Sequence, residues 1–309
     1  MKKIQLLILG HSSFMKRRVL PAIKKIKSLE YFICSKSSKI NLNEKIVCKN
    51  YDQALLKYKP NIVYISLVNS LHFKYAKKAL ESGFNVIVDK PLTISLRDTK
   101  YLLKIAKKKN LLLAEATLYN YHAIFKKMIN LCNGLKNITH IQSNFNIPLK
   151  YNFKRMYVNK GDCVMDMGPY AASIIRLFTN KKAKRIKVYK DYFPGDKKII
   201  KSFFILSKLK NCTYFGNFSF DKPYISNIKL FTKKSIISSP SRIFALPPEK
   251  AISILKNGKN GIKKINIKKD DCIVNFLKKV LYAVKNKNYK SFYNNIIHDA
   301  TIREKIKLY

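Results

Sequence analysis

The chain has no tryptophan among its 309 residues, only 9 glycines and 10 prolines, and 17 acidic residues against 63 lysines and arginines. So few glycines and prolines exclude a collagen-like or Pro/Gly-rich low-complexity chain. No apolar run reaches the roughly 18 to 20 residues that span a bilayer, so no membrane partner is expected. The apolar stretch before Gly10 is too short for a signal peptide, and His11-Ser12-Ser13 leads into Lys16-Arg17-Arg18 instead of a small-residue cleavage site. It reads as a buried first strand of a cytoplasmic protein. Six cysteines, at positions 34, 48, 132, 163, 212 and 272, show no CxxC spacing. They read as reduced, packed thiols. The five histidines form no pair at helical or HExxH spacing, and no metal is expected.

What is abundant is positive charge, a net of +46. A polyanion partner is one explanation. Composition is the other, because Lys, Asn, Ile, Tyr and Phe share A/T-rich codons. The lysines fall in short clusters along the whole chain, at Lys24-Lys25, Lys107–Lys109, Lys197-Lys198, Lys263-Lys264 and Lys268-Lys269. A dedicated nucleic-acid face would gather them on one element with aromatics between them. The distribution therefore favours composition, and nucleic acid is not an expected partner. The charge still steers anionic substrates and cofactors toward the surface.

At this length two domains are the default, and 47% hydrophobic residues are ordinary for a globular protein. In the first third, short apolar runs (Ile4–Leu9, Tyr31–Cys34, Ile62–Leu67, Val86–Val88, Leu111–Leu113) alternate with helical spacings such as Val19, Ile23 and Ile26. That alternation implies βαβ units and a parallel sheet of Rossmann type. After Tyr119 the texture changes. Helices are predicted near Ala123–Asn133 and Val164–Phe178. Strands follow at His140–Ile147, Ala183–Tyr192, Lys201–Ser207, Thr213–Phe220, Ile225–Phe231 and Arg242–Leu246, with closing helices near Cys272–Lys285 and Ile296–Lys307. The expected fold is an α/β nucleotide-binding domain over residues 1–120. An α+β domain with a large, mostly antiparallel open sheet is expected over 121–309.

The first strand ends at Gly10-His11-Ser12-Ser13-Phe14, where a glycine-rich phosphate turn would sit, but only its first glycine is present. Ser12 offers a small side chain and a hydroxyl, and the following helix offers oriented N–H groups to an anion. The second strand ends in Cys34-Ser35-Lys36, with no carboxylate to bind a ribose 2′-hydroxyl and with groups suited to a 2′-phosphate. That favours NADP(H) over NAD(H).

Asn69-Ser70-Leu71-His72 followed by Val88-Asp89-Lys90-Pro91-Leu92 resembles the Gfo/Idh/MocA oxidoreductases. So do Arg17–Ala22, Ala114-Glu115-Ala116, and Gly161-Asp162-Cys163 leading to Asp166-Met167-Gly168-Pro169-Tyr170. Within that family Gly168-Pro169-Tyr170, Phe215–Phe220 and Arg242–Pro248 are most similar to nucleotide-sugar 3-ketoreductases, which reduce a keto group with NADPH. The resemblance implies cofactor contacts from Gly10, Ser12, Ser13, Phe14, Ser35, Lys36, Leu67, Asn69, His72, Asp89, Lys90 and Glu115. It implies catalytic roles for Lys90, Tyr170 and Asp166. A phenol titrates near 10 in water, and a neighbouring ammonium stabilises its phenolate and any charge developing on a substrate oxygen. Asp166 and Tyr170 are four apart and share one helix face, and Pro169 would start or kink that helix. Three departures stand out: Asp89 for the usual glutamate, Ser12 and Met15 in the glycine motif, and Gly161-Asp162-Cys163 for a glycine run. The implied partner is a sugar or nucleotide-sugar in a homo-oligomer assembled through the open sheet. A cyclitol or free-sugar dehydrogenase, and a non-catalytic nucleotide-binding regulator, are the alternatives.

Overall fold

The computed structural model describes residues 3–36, 46–148, 162–179, 185–194, 196–209 and 211–308. The expected Gly161, and Ser37 to Lys39 after the second strand, lie outside them. Two compact units emerge, Met1–Leu118 with Ile273–Ile297, and Tyr119–Cys272 with His298–Tyr309.

The first unit is built on six parallel strands. These are β1 (Ile4–Leu9), β2 (Leu29–Cys34), β3 (Ile46–Cys48), β4 (Ile62–Ile65), β5 (Asn85–Asp89) and β6 (Leu113–Ala116). Their order across the sheet is β3-β2-β1-β4-β5-β6. This is the doubly wound order, and the reversal between β1 and β4 opens a crevice at the carboxyl ends of the strands. Between the strands lie α1 (Leu20–Lys24), preceded by a π-turn at Met15–Val19, and α2 (Tyr51–Tyr58), α3 (Asn69–Glu81) and α4 (Leu96–Lys108). The starts of α2 and α4 are written in the sequence. Asn50 accepts from the Asp52 and Gln53 amides, and Ser95 accepts from the Asp98 amide. Both faces of the sheet are covered, so β1 and β4 are apolar almost throughout and form the core with Ala76, Leu80 and Leu102.

The second unit holds an eight-stranded sheet in the order β14-β13-β12-β11-β7-β10-β9-β8. The strands are β7 (His140–Asn146), β8 (Arg185–Phe193), β9 (Asp196–Leu209), β10 (Cys212–Ser219), β11 (Ile225–Phe231), β12 (Ser235–Ser238), β13 (Ile252–Gly258) and β14 (Gly261–Ile267). Every pairing is antiparallel except β7 with β10. The expected fold class is the one observed. One face of this sheet packs under α5 (Ala123–Leu131) and α6 (Cys163–Thr179) through Ile141, Phe145, Phe203, Phe218 and Ile228.

Two expectations are corrected. Arg242–Leu246 is not a strand: Arg242 has φ +64° and opens a short 3-10 turn at Ile243–Ala245. A left-handed residue cannot continue a ladder. The segment Ile273–Ile297, expected in the second domain, belongs to the first unit. It contains α7 (Cys272–Asn286) and the start of α8 (Lys290–Leu308). Ile296 enters the core of the parallel sheet, and the Tyr293 hydroxyl donates to the Leu111 carbonyl.

Candidate active site

The turn after β1 forms one wall of the crevice. Gly10 has φ +96°, and a Cβ there would stand 2.3 Å from the Ser66 carbonyl oxygen. Glycine is required on both counts. The tight turn demanded by phosphate binding is therefore present despite the missing later glycines. Ser13 and Phe14, both exposed, open the helical turn that follows, where the first amides lack intrahelical partners.

A run of hydroxyls ties this turn to the ends of β4 and β5. The Ser66 hydroxyl donates to Asp89 Oδ2 at 2.7 Å, so in its 2.9 Å contact with Ser12 it must accept. Ser12 in turn accepts the Met15 amide at 3.0 Å. The direction of the chain is fixed: amide to Ser12 to Ser66 to carboxylate. The Ser12 hydroxyl, expected to face a phosphate, directs its proton to Ser66 here. Asp89 also accepts from the Tyr64 hydroxyl at 2.9 Å. Burial raises the Asp89 carboxyl above the usual range, against the pull of Ser66, Tyr64 and the nearby His72 and Lys90.

The next residue is Lys90, half-buried at the end of β5 and joined to Pro91 by a cis peptide bond. Two of the expected cofactor residues clamp the backbone here. His72 is fully buried, with Nδ1 2.8 Å from the Pro91 carbonyl and Nε2 3.0 Å from the Leu67 carbonyl. Glu115, also buried, accepts the Leu92 amide at 2.7 Å and the Thr117 hydroxyl at 2.8 Å. These contacts fix the backbone on either side of the Pro91 peptide, next to Lys90. Leu67 packs where the Gly10 turn comes closest, and Asn69 begins α3, partly exposed. At the far side, Ser35 is buried and its amide donates to the Cys48 carbonyl, while Lys36 is exposed with Nζ 5.5 Å from the centre of the Tyr51 ring.

In the second unit, α6 carries Asp166 and Tyr170 on one partly exposed face. Pro169 does not start this helix but lies inside it. Its ring nitrogen has no hydrogen to donate to the Met165 carbonyl, and the Ser173 hydroxyl donates to the Pro169 carbonyl at 2.7 Å. The sequence reading missed what surrounds Tyr170. Tyr119 stacks on it at 5.3 Å, while Phe145 and Phe244 meet its ring at 4.9 and 5.0 Å. Those three rings are buried and Tyr170 is the member that reaches solvent. Beneath it, Arg176 grips Asp299 through two contacts of 2.9 Å, which hold the Asp299 carboxyl below the usual range against the effect of its burial. His122 caps α5 by accepting the Ile124 amide. Among the described residues no cluster of three or more His, Cys, Asp or Glu could hold a metal, and no helix is long and apolar enough to cross a membrane.

A glycine turn at the switch point, a crevice at the strand ends and a clamped lysine after β5 are the parts of a dinucleotide site. Residues 12–117 match the model of the oxidoreductase family with an NAD-binding Rossmann fold. That family is the Gfo/Idh/MocA oxidoreductases. Similarity extends to the dTDP-3,4-didehydro-2,6-dideoxy-alpha-D-glucose 3-reductase of Saccharopolyspora spinosa, 29% identical over 188 residues that cover 57% of this chain and 56% of that protein. D-xylose 1-dehydrogenase (NADP(+)) 2 of Haloferax volcanii is 30% identical over 133 residues, 42% of this chain and 41% of that one. The chain thus matches about half the length of these curated relatives. Among solved structures, KijD10, a 3-ketoreductase from Actinomadura kijaniata in complex with NADP and TDP-benzene, superimposes with a TM-score of 0.89. It covers 99% of this chain and 98% of its own at 18% identity, and so shares the fold beyond the Gfo/Idh/MocA domain.

Proposed function

We propose that this protein is an NADP(H)-dependent oxidoreductase that transfers a hydride to or from a sugar carbonyl, acting as a nucleotide-sugar ketoreductase. The observation that carries the reading is the clamped Lys90 loop at the end of β5, in a Gfo/Idh/MocA domain whose Gly10 turn keeps its phosphate-binding shape. Lys36, exposed beside Ser35 with no carboxylate at the end of β2, supports NADP(H) over NAD(H). The bound nicotinamide supplies the hydride. The chain has to manage the proton and the charge on the oxygen. We assign the proton to the Tyr170 phenol, held in its aromatic surround, and the stabilisation of the developing oxyanion to the Lys90 ammonium. Asp166, one turn before Tyr170, orients a substrate hydroxyl. A cytoplasmic homo-oligomer assembled through the open face of the eight-stranded sheet completes the reading.

Titration of the purified protein with NADPH and NADH, followed by nucleotide fluorescence at near-physiological salt, tests the cofactor. NADPH is expected to bind at least tenfold tighter, and Lys36→Ala to erase the difference. With a dTDP-linked 3-keto sugar, Lys90→Ala and Tyr170→Phe are each expected to lower kcat by about 10²–10⁴-fold while NADPH still binds Tyr170→Phe normally. Failure of both nucleotides to bind would overturn the reading. The likeness to D-xylose 1-dehydrogenase favours a second reading, oxidation of a free sugar, which turnover of D-xylose with NADP+ would reveal.

A further inference from the structure

The sequence places Cys34 and Cys48 fourteen residues apart, with nothing in their spacing to pair them. The sheet brings them together. Cys34 ends β2, and Cys48 ends β3, which is the edge strand. Ile33 opposes Ile46, yet Cys34 opposes Cys48, so Val47 is an extra residue in the ladder. Side chains alternate faces along a strand, so without that bulge positions 34 and 48 would face opposite sides of the sheet. With it they are directly opposed on the same side, and their Sγ atoms lie 2.7 Å apart.

Neighbouring strands are about 4.8 Å apart, inside the Cα separations that disulfides span. A disulfide bond is about 2.05 Å long, so closing it asks the sulfurs to move by less than about 1 Å. Both thiols are free in this structure. They differ in access and character. Cys34 is fully buried, and burial together with the neighbouring Cys48 pushes its thiol well above the usual range. Cys48 is partly exposed at the sheet edge, with Sγ 3.4 Å from the Asn50 carbonyl.

We propose that Cys34 and Cys48 form a reversible redox site, closed to a disulfide by peroxide. Cys48 ionises and its thiolate attacks one oxygen of hydrogen peroxide; the O–O bond breaks, Cys48 becomes a sulfenic acid, and the departing hydroxide takes up the proton Cys48 released to give the first water. The Cys34 sulfur then attacks Cys48 Sγ. The S–O bond breaks, the S–S bond forms, and the departing hydroxide takes the Cys34 proton as a second water. Two thiols and one peroxide give one disulfide and two waters. A dithiol restores the pair by exchange. The crosslink sits one residue before Ser35 and Lys36, at the strand ends expected to read the nucleotide's 2′ position. It depends only on the sheet, and so stands or falls independently of the proposed reduction of a sugar.

The test uses the unaltered chain treated with a slight excess of hydrogen peroxide. Intact mass is expected to fall by two hydrogens, with a Cys34–Cys48 linked peptide in the non-reducing map. The unfolding midpoint should rise by several degrees, and dithiothreitol should reverse both changes. Cys48→Ser should abolish the product, and Cys132→Ser should leave it unchanged. Quantitative alkylation of both thiols after peroxide would overturn the proposal. So would oxidation of Cys48 beyond sulfenic acid with Cys34 still free, or a crosslink to a different cysteine.

Discussion

Asp299 shows how much one residue's surroundings decide. In water its carboxyl would titrate near 4, but the paired Arg176 guanidinium holds it lower although it is buried. The unfolded chain therefore takes up a proton before the folded one does. The pair's contribution to stability is full above about pH 4 and is lost as pH falls from there through the lower folded value. Asp299→Asn leaves Arg176 buried and unpaired, which should cost about 3–5 kcal/mol at pH 7 in urea unfolding. It should also flatten the acid limb of the stability curve. A variant as stable as the parent at pH 7 would remove the pair from the account of α6. At this scale the sequence was legible wherever a motif names its residue. The turn at Gly10 was found that way, and its conformation requires glycine. The sequence was silent about what side chains touch: Ser12, His72 and Glu115 meet other groups of the chain. Tyr119 and Phe145 carried no signal in a chain with 19 tyrosines and 18 phenylalanines, and Phe244 stood out only within the Arg242–Pro248 stretch. Their meeting around Tyr170 depends on three separate elements.

Among the elements, the ends of β1, β4 and β5 are held as one piece by the hydroxyl chain through Ser12 and Ser66. Ser66→Ala removes a donor from Asp89 and the acceptor of the Ser12 proton at once. A loss of about 1–3 kcal/mol in stability is expected in denaturant titrations, with weaker nucleotide binding as the Gly10 turn loosens. Unchanged stability would show that water replaces the serine without cost. Five of the six parallel strands were legible because burial on both faces makes them continuous apolar runs, while the three-residue edge strand β3 was not expected. The second sheet was harder to read. Its outer strands β12, β13 and β14 went unrecognised, since β12 is only four residues long and Lys256, Lys263 and Lys264 interrupt the alternation of β13 and β14. Arg242–Leu246 was taken for a strand because apolar residues are dense there, while the left-handed turn at Arg242 leaves no trace in composition.

Over the whole molecule, +46 charges on 309 residues repel one another, and added salt screens exposed charges. Raising NaCl from about 50 to 500 mM should raise the unfolding midpoint by several degrees in calorimetry, where the Debye length shortens from above to below about 10 Å. A midpoint independent of salt would mean that the lysines are too well solvated to matter. The return of Ile273–Ile297 to the first unit has a consequence for the life of the chain. A ribosome finishes the six parallel strands early, but Tyr293 and Ile296, which cover Leu111 and the neighbouring core, emerge only after the whole eight-stranded sheet has been made. At ordinary synthesis rates that interval is on the order of tens of seconds. The part of the protein that is made first is thus the last to be sealed, because its apolar core lacks the cover of Ile296 until then.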